Sequence, residues 1–162
     1  MTYVIDSDVL IDAKNRYYGF DTCPGFWNWL DIAHADGEVR SVEKVADELL
    51  GGQDELSQWA RERDHFFVAP DQSVVDSLRE LSVWSVSVDY TNAAINEFLA
   101  AGDSYLIAHA HAHDLIVVTH EVRANTVHKI KIPNACVGIG VRYCNPFAML
   151  RASGARFVLE TT

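Results

Sequence analysis

The order of apolar and polar positions along the chain predicts strands that alternate with helices. Tyr3-Val4-Ile5 is a short apolar run that ends at Asp6 and is followed at once by the apolar set Val9-Leu10-Ile11, which is typical of a buried strand leading into a helix. Leu115–Val118 contains four apolar residues in a row, and its lack of alternation predicts a parallel strand covered on both faces. This pattern indicates an α/β fold with a central, mostly parallel sheet flanked by helices, in one domain over residues 1–162.

Helix-capping residues, and the glycines and prolines that end secondary structure, set the bounds of the remaining predicted helices and strands. Ser41 is expected to cap a helix whose apolar positions are Val42, Val45, Ala46 and Leu49 and which ends at Gly51-Gly52. Further helices are predicted over Pro24–Gly37, Asp54–Arg63, Asp71–Leu81, Asn92–Ala101, Gly102–His113 and Pro146–Ala152, and further strands over Phe66–Ala69 and Val141–Cys144. In such folds, ligands collect at the carboxyl ends of the strands.

Composition narrows the class of protein. The chain has 162 residues, of which 49% are hydrophobic and 22% charged, which excludes a disordered chain, a collagen-like repeat and a coiled coil. We find no apolar stretch long enough to span a membrane and no secretory signal at the N-terminus. The three cysteines, Cys23, Cys136 and Cys144, form no CxxC pair. We therefore expect a cytoplasmic protein with no membrane partner.

Charge is unevenly distributed along the chain. The formal net charge is −10, which argues against a general nucleic-acid binder. Residues 122–159, here called the basic segment, nevertheless contain no Asp or Glu. Their six basic residues are Arg123, Lys129, Lys131, Arg142, Arg151 and Arg156. One interpretation of this split is a chance imbalance whose effect salt screens beyond roughly 10 Å. The other is an acidic pocket beside a basic wall, where a metal ion and an anionic ligand could meet.

Polar side chains follow both predicted central strands. Asp6 and Asp8 come after the first strand, and Thr119 and Glu121 come after Leu115–Val118. If both strands are central, these four residues converge on the ligand-binding edge of the sheet. A role as helix cap or turn residue is an equal alternative for Asp8.

Two further acids lie on predicted helices. At about 100° per residue, Asp103 is in line with Leu106, Ile107 and Ala110 on the apolar face of its helix. The alternative for Asp103 is a carboxylate that caps the helix, and both roles can coexist. An acid in the first turn that faces inward is nevertheless a better candidate ligand than most. Glu43 and Glu48 flank the apolar face of their helix at opposite edges, and periodicity does not choose between them.

This clustering of carboxylates predicts a cation site. Neighbouring carboxylates repel one another unless they are protonated or neutralised by a cation. Hard oxygen ligands suit Mg²⁺ or Mn²⁺, which bind through few carboxylates together with substrate phosphates. The chemistry that fits is metal-assisted hydrolysis of a phosphodiester.

Four segments, taken in order, resemble the motifs of the PIN-domain family. They are Val4–Ile11, Val45–Gly51, Gly102–Ala108 and Val117–Glu121. Ile132–Cys136 and Cys144–Phe147 also resemble a PIN-like subfamily of small prokaryotic proteins. Each motif alone is weak, but the four together, in the family's order, cover most of the chain.

The resemblance implies a PIN-like fold and a ribonuclease that uses Mg²⁺ or Mn²⁺. In VapC-like cases it implies a toxin restrained by an antitoxin protein. Carried over by position, Asp6, Glu48 and Asp103 would be the core acids, and Glu121 would hold a fourth position where many members have aspartate. Ser7 and Thr119 match small hydroxyl positions that orient a water or ligand, and Asp8 is a further candidate metal ligand. For the basic wall, we expect Arg123, Lys129 and Lys131 to contact RNA phosphates.

Other interpretations remain open at this stage. Ile5–Val9 also fits the opening motif of haloacid-dehalogenase-like phosphatases, with Asp6 as nucleophile, although the order of the later motifs disagrees. A non-catalytic PIN-like module that binds RNA or protein is another alternative, and a homodimer is one alternative for the oligomeric state. Tyr17-Tyr18, beside Arg16, is a candidate patch facing RNA or a second subunit.

Overall fold

The computed structural model describes residues 1–161 and has five strands and nine α-helices in that range. The strands are β1 (Tyr3–Ile5), β2 (Val39–Val42), β3 (Phe67–Val68), β4 (Ile116–Val118) and β5 (Arg142–Cys144). The helices are α1 (Ser7–Asp12), α2 (Pro24–Ala35), α3 (Glu43–Leu50), α4 (Glu55–Arg61), α5 (Gln72–Ser87), α6 (Asn92–Ala100), α7 (Gly102–His113), α8 (Ile132–Ile139) and α9 (Pro146–Ala152). A π-helical turn (Ala13–Tyr17) continues α1, and a 3₁₀ turn (Asp64–Phe66) precedes β3.

The strands form one parallel sheet in the order β3-β2-β1-β4-β5. Val4 pairs with Arg40 on one side and with Val117 on the other, which places β1 at the centre. Because all pairings are parallel, the carboxyl ends of all five strands lie at one edge, here called the carboxyl edge. The α/β fold with a mostly parallel sheet, predicted from sequence, is confirmed.

The two central strands carry the most deeply buried part of the core. Val4, Ile5, Val117 and Val118 are fully buried, as the unbroken apolar runs predict for a strand covered on both faces. Helix α7 crosses next to this sheet with Leu106 and Ile107 fully buried. Because these buried residues are packed together, the carboxyl ends of β1 and β4 are held in fixed positions. No helix within residues 1–161 is long and apolar enough to cross a membrane.

The expectation that Ser41 caps a helix is wrong. Ser41 lies in β2, fully buried, and its hydroxyl donates a hydrogen bond to the carbonyl oxygen of Ile5, 2.6 Å away. Helix α3 follows β2 without an intervening loop, and its N-cap position is Val42. The helical spacing of apolar residues was therefore interpreted correctly, but the strand before it was missed.

Some element boundaries also differ from the sequence prediction. Helix α5 continues to Ser87, six residues beyond the expected end at Leu81. Helix α8, which has Pro133 in its first turn, was not predicted at all. Both differences arise where α5 packs on α8: a Cβ on Gly138 would collide with the ring of Trp84. Such a contact between distant segments leaves no local periodic signal.

Candidate active site

The ends of β1 and β4 place Asp6 and Thr119 side by side at the carboxyl edge. The backbone N–H of Asp6 donates to the carbonyl oxygen of Val118 at 3.0 Å, and that of Thr119 donates to Cys144 at 3.0 Å. The parallel hydrogen-bond pattern thus runs one residue past β1 and β4. Both side chains are fixed by the sheet and are buried, with Asp6 2% and Thr119 1% exposed.

The hydroxyl of Thr119 links two acids. Its Oγ1 donates to Oδ2 of Asp6 at 3.1 Å and accepts from the backbone N–H of Glu121 at 3.1 Å. The hydroxyl of Ser7 lies 3.5 Å from Oδ1 of Asp6, at the long limit for a hydrogen bond. Ser7 and Thr119, the two hydroxyl residues suggested by sequence, therefore both adjoin the carboxylate of Asp6.

Three carboxylates come closest together at this edge. Oxygen atoms of Asp6, Asp8 and Glu121 all lie within 4.8 Å of one another, and we call these three residues the acid group. Asp6 is buried, Glu121 is half-buried and Asp8 is exposed. An oxygen of Glu121 also accepts from the backbone N–H of Ile132 at 3.4 Å, at the start of α8. That contact ties one oxygen of the Glu121 side chain to the start of α8.

Asp103 lies beside the acid group, in the first turn of α7. Burial, followed by the charges of Glu121, Glu48 and Asp8, raises the pKa of Asp103 to about 6. Burial also raises the pKa of Asp6 well above its usual range, with Asp103 and Asp8 adding to the effect and the Thr119 hydrogen bond opposing it. The sequence predicts that Asp103 lies on the apolar face of its helix. In the structure, the carboxyl group of Asp103 lies close to the other acids.

The structure separates Glu48 from Glu43, which helix periodicity does not. An oxygen of Glu48 lies 2.6 Å from the position that a Cβ would occupy on Gly102, next to Asp103. Glu43 instead lines a small cavity with His109 and Tyr105. Of the two, Glu48 therefore lies against the start of α7, where its charge helps to raise the pKa of Asp103. Only a glycine at position 102 allows so close an approach.

This set of side chains suits a divalent cation. The acid group offers hard oxygen donors, the type that Mg²⁺ and Mn²⁺ prefer. Burial, and then the charges of its acidic neighbours, raise the pKa of Asp6, and a bound cation would offset the repulsion among these carboxylates. Glu48 and Asp103 flank the acid group and extend the same negative surface.

Two of the three cations expected to contact RNA lie next to these acids, and the third is close in the chain. Arg123 lines a cleft together with Thr119 and Glu121. Lys129 lines a second cavity with Asp103 and lowers the pKa of that carboxyl group, against the effect of the neighbouring acids. Lys131 is the N-cap residue of α8, one position before the N–H that contacts Glu121. Arg123 and Lys129, the first two cations of the basic segment, thus lie next to acids of the site, and their contact with RNA stays a prediction.

Sequence reasoning missed several contributors to the site. The contact from the start of α8 to Glu121 was missed because the helix was not predicted; the sequence signal was Pro133, since proline is favoured in the first turn. The aromatic side chains His120, Tyr143 and Phe147, which line the cleft beside Glu121, were not singled out either. No periodic pattern links these three positions.

Three solved structures have a fold similar to that of this chain. FitAcB from Neisseria gonorrhoeae has a TM-score of 0.55 at 18% identity, over 90% of this chain and 99% of that chain. FitAB bound to the IR36 DNA fragment has a TM-score of 0.55 at 16% identity, over 90% and 96%. VapBC2 from Rickettsia felis, bound to a DNA fragment from its promoter, has a TM-score of 0.53 at 15% identity, over 90% and 98%.

At these identities the likeness concerns the fold, and the matching chains have the PIN-domain fold. No curated protein sequence matches this chain significantly. The model of one protein family, described as "Domain of unknown function (DUF4411)", matches residues 3–157. The chain therefore belongs to the DUF4411 family and has the fold of the PIN domains.

Proposed function

We propose that this protein is a Mg²⁺- or Mn²⁺-dependent endoribonuclease that hydrolyses phosphodiester bonds in single-stranded RNA. The observation that carries the proposal is the acid group, whose carboxylate oxygens lie within 4.8 Å of one another at the carboxyl edge of a PIN fold. A non-catalytic domain would have no physical reason to hold self-repelling carboxylates together on one edge. The fold likeness also favours a nuclease over the phosphatase alternative.

Each residue has a role in this proposal. Asp6, Asp8 and Glu121 would hold the cation, and Glu48 and Asp103 would complete its surroundings. A divalent ion bound there supplies a Lewis acid and lowers the pKa of a coordinated water. Thr119 fixes the carboxylate of Asp6 through its hydrogen bond, and Ser7 lies on the other oxygen of that group.

The test of catalysis is the substitution Asp6→Asn. It keeps the shape of the side chain but removes the charge that would hold the cation, so cleavage of a single-stranded RNA should fall by orders of magnitude. EDTA should abolish cleavage by the parent chain, and Mn²⁺ or Mg²⁺ should restore it. Asp47→Asn on the exposed side of α3 is the matched control and should cut at the parent rate. An Asp6→Asn variant as fast as the parent would refute the mechanism.

We further propose that Arg123, Lys129 and Lys131 bind phosphates of the RNA backbone. Such contacts add affinity without reading sequence, so the triple alanine variant should bind different RNAs more weakly by similar factors. Each lost contact should also reduce the salt dependence of binding by a slope of roughly 0.7 for a single strand. If the slope in the triple variant equals that of the parent, these cations do not contact RNA and an acidic protein partner is the better explanation.

The biological setting that we propose is a toxin–antitoxin pair. The similar structures are described as FitAB and VapBC complexes, two of them with DNA, which supports a small DNA-binding antitoxin as partner. The product of the neighbouring reading frame should, if this is correct, form a complex with the purified chain and inhibit its cleavage of RNA. A chain that neither binds nor is inhibited by that product would leave RNA processing as its role.

A further inference from the structure

A cleft of about 420 Å³ opens directly beside the acid group. Thr119 and Glu121 line it together with Arg123, so that one cavity contains a hydroxyl, an acid of the candidate active site and a cation. Its other lining residues are His120, Val122, Tyr143, Cys144, Asn145 and Phe147. Three of these six, His120, Tyr143 and Phe147, are aromatic, so the cleft combines an aromatic lining with charged groups.

Two of the aromatic side chains of the cleft, His120 and Phe147, are held in place before any ligand binds. The ring of Tyr17 stacks on that of His120, with centroids 5.6 Å apart and planes at 29°, and meets Phe147 edge-on at 5.2 Å. His120 and Phe147 are themselves 5.9 Å apart. His120 is also 3.9 Å from the carboxylate of Asp12 on α1. Rings fixed on several sides lose little freedom on binding, which favours recognition of a flat ligand.

We propose that this cleft binds an unpaired base of the RNA, stacked on its aromatic side chains, when the adjoining phosphate lies at the acid group. The inference rests on the proposed function. A volume of about 420 Å³ is within the range of small-ligand sites. A base has a π-face whatever its identity, so that stacking on aromatic rings tolerates different sequences.

Charge complementarity favours a nucleotide over an apolar peptide. Arg123 is exposed, and within residues 1–161 it forms no ion pair with a carboxylate. A nucleotide supplies a flat apolar base and a phosphate within a single ligand, which matches a cleft that combines aromatic rings with a cation. An apolar peptide side chain would cover the rings and leave Arg123 without an anion.

Tyr143 is the best position at which to test this inference. It lies on the edge strand β5 and is 37% exposed, so replacing it should leave the core intact. Tyr143→Leu removes the ring and Tyr143→Phe retains it, which makes the second variant a matched control. Phe147→Leu is an independent test on α9. Thermal unfolding of each variant checks that it is folded.

The experiment compares nucleoside 5′-monophosphates with ribose 5-phosphate, which lacks the base, by NMR titration of the full chain in Mg²⁺. The nucleotides should shift the ring resonances of Tyr143, His120 and Phe147. They should also bind roughly five- to 150-fold more tightly than ribose 5-phosphate, the range expected for stacking of one base. Tyr143→Leu and Phe147→Leu should each lose a large part of that preference, and Tyr143→Phe should keep it.

Equal affinity for nucleotides and ribose 5-phosphate would overturn the inference, as would a preference that survives in both leucine variants. Ring resonances that no nucleotide shifts would also overturn it. The outcome is separate from that of the proposed function. Metal-dependent cleavage that is lost in Asp6→Asn, without any base preference, would keep the nuclease and remove the base site. Base-dependent binding without cleavage would keep the base site and remove the nuclease.

Discussion

Replacing Asp103 with asparagine should stabilise the metal-free protein. The pKa of Asp103 rises from 3.8 to about 6, first through burial and then through Glu121, Glu48 and Asp8. The native state therefore binds the proton of this group more tightly than the unfolded state does. As Asp103 loses its proton between about pH 4 and pH 6, the free energy of unfolding falls, and this fall is complete at neutral pH. Asparagine has no charge to be repelled and avoids that loss.

The magnitude follows from the shift. One pKa unit corresponds to about 1.4 kcal/mol, so that the raised pKa costs the native state roughly 3 kcal/mol at neutral pH as an upper bound. A carboxylate in the first turn of α7 also gains about 0.3–1 kcal/mol from the helix dipole, and Asp103→Asn forfeits this gain. A net gain of about 2 kcal/mol should raise the melting temperature by roughly 4–8 °C for a chain of this size.

The assay is thermal unfolding at several pH values, with EDTA and with Mn²⁺. In EDTA, Asp103→Asn should melt above the parent at pH 8, and the difference should shrink towards pH 4, where the parent carboxyl is protonated. Mn²⁺ at a hundredfold excess over its dissociation constant should stabilise the parent by about 2.7 kcal/mol, and the variant by much less. Asp47→Asn, an exposed acid on α3, controls for the loss of one charge. A variant that is no more stable than the parent at pH 8 in EDTA would refute the reasoning.

Two other changes test different parts of the molecule. Gly102→Ala should displace the carboxylate of Glu48, which lies 2.6 Å from the added Cβ, and should weaken Mn²⁺ binding measured by calorimetry; Gly52→Ala, where the nearest atom is 3.6 Å away, should leave Mn²⁺ binding unchanged. His109 is 2% exposed, has no hydrogen-bond partner on either ring nitrogen within residues 1–161, and has its pKa lowered to about 4, chiefly by burial. The unfolded state therefore takes up a proton that the native state rejects, and stability should fall by at most about 3 kcal/mol as the pH drops from 6.5 to 4. His109→Leu should flatten that part of a urea-unfolding profile against pH, and an unchanged profile would show that another group is responsible.

Local sequence was sufficient to predict the centre of the fold. The runs that became β1 and β4 are apolar without interruption because both faces of a central parallel strand are covered. Once both strands are central and parallel, their carboxyl ends must meet, and the residues that follow them come together. The proximity of Asp6 and Thr119, which are joined by a hydrogen bond of 3.1 Å, is a direct consequence of that topology.

The parts that sequence did not predict depend on contacts between distant segments. Ser41 has the chemistry of a helix cap, yet its hydroxyl is satisfied by Ile5 in the neighbouring strand. Glu48 lies near Asp103 and Glu43 does not, because the start of α7 packs beside Glu48. The apolar spacing within α3 carries no information about the position of α7. Helix α8 has eight residues, one of them a glycine that a Trp84 contact requires, so its local helical signal is weak. These features become visible only when the elements are packed.

The packing of the core and the acids of the site act on stability in opposite directions. The apolar residues of β1 and β4 are fully buried and hold the strand ends rigid, since a close-packed interior allows little movement. Rigid strand ends keep Asp6 next to Asp8 and Glu121 although the charges repel. The raised pKa of Asp6 reflects burial first and then repulsion by its acidic neighbours, with Asp103 ahead of Asp8 and Glu121. The free energy of that repulsion is released when a cation binds. A site on flexible loops would relax by separating its carboxylates and would lose this preference for a cation, which is why the position of the acids at the ends of buried strands matters for the function proposed here.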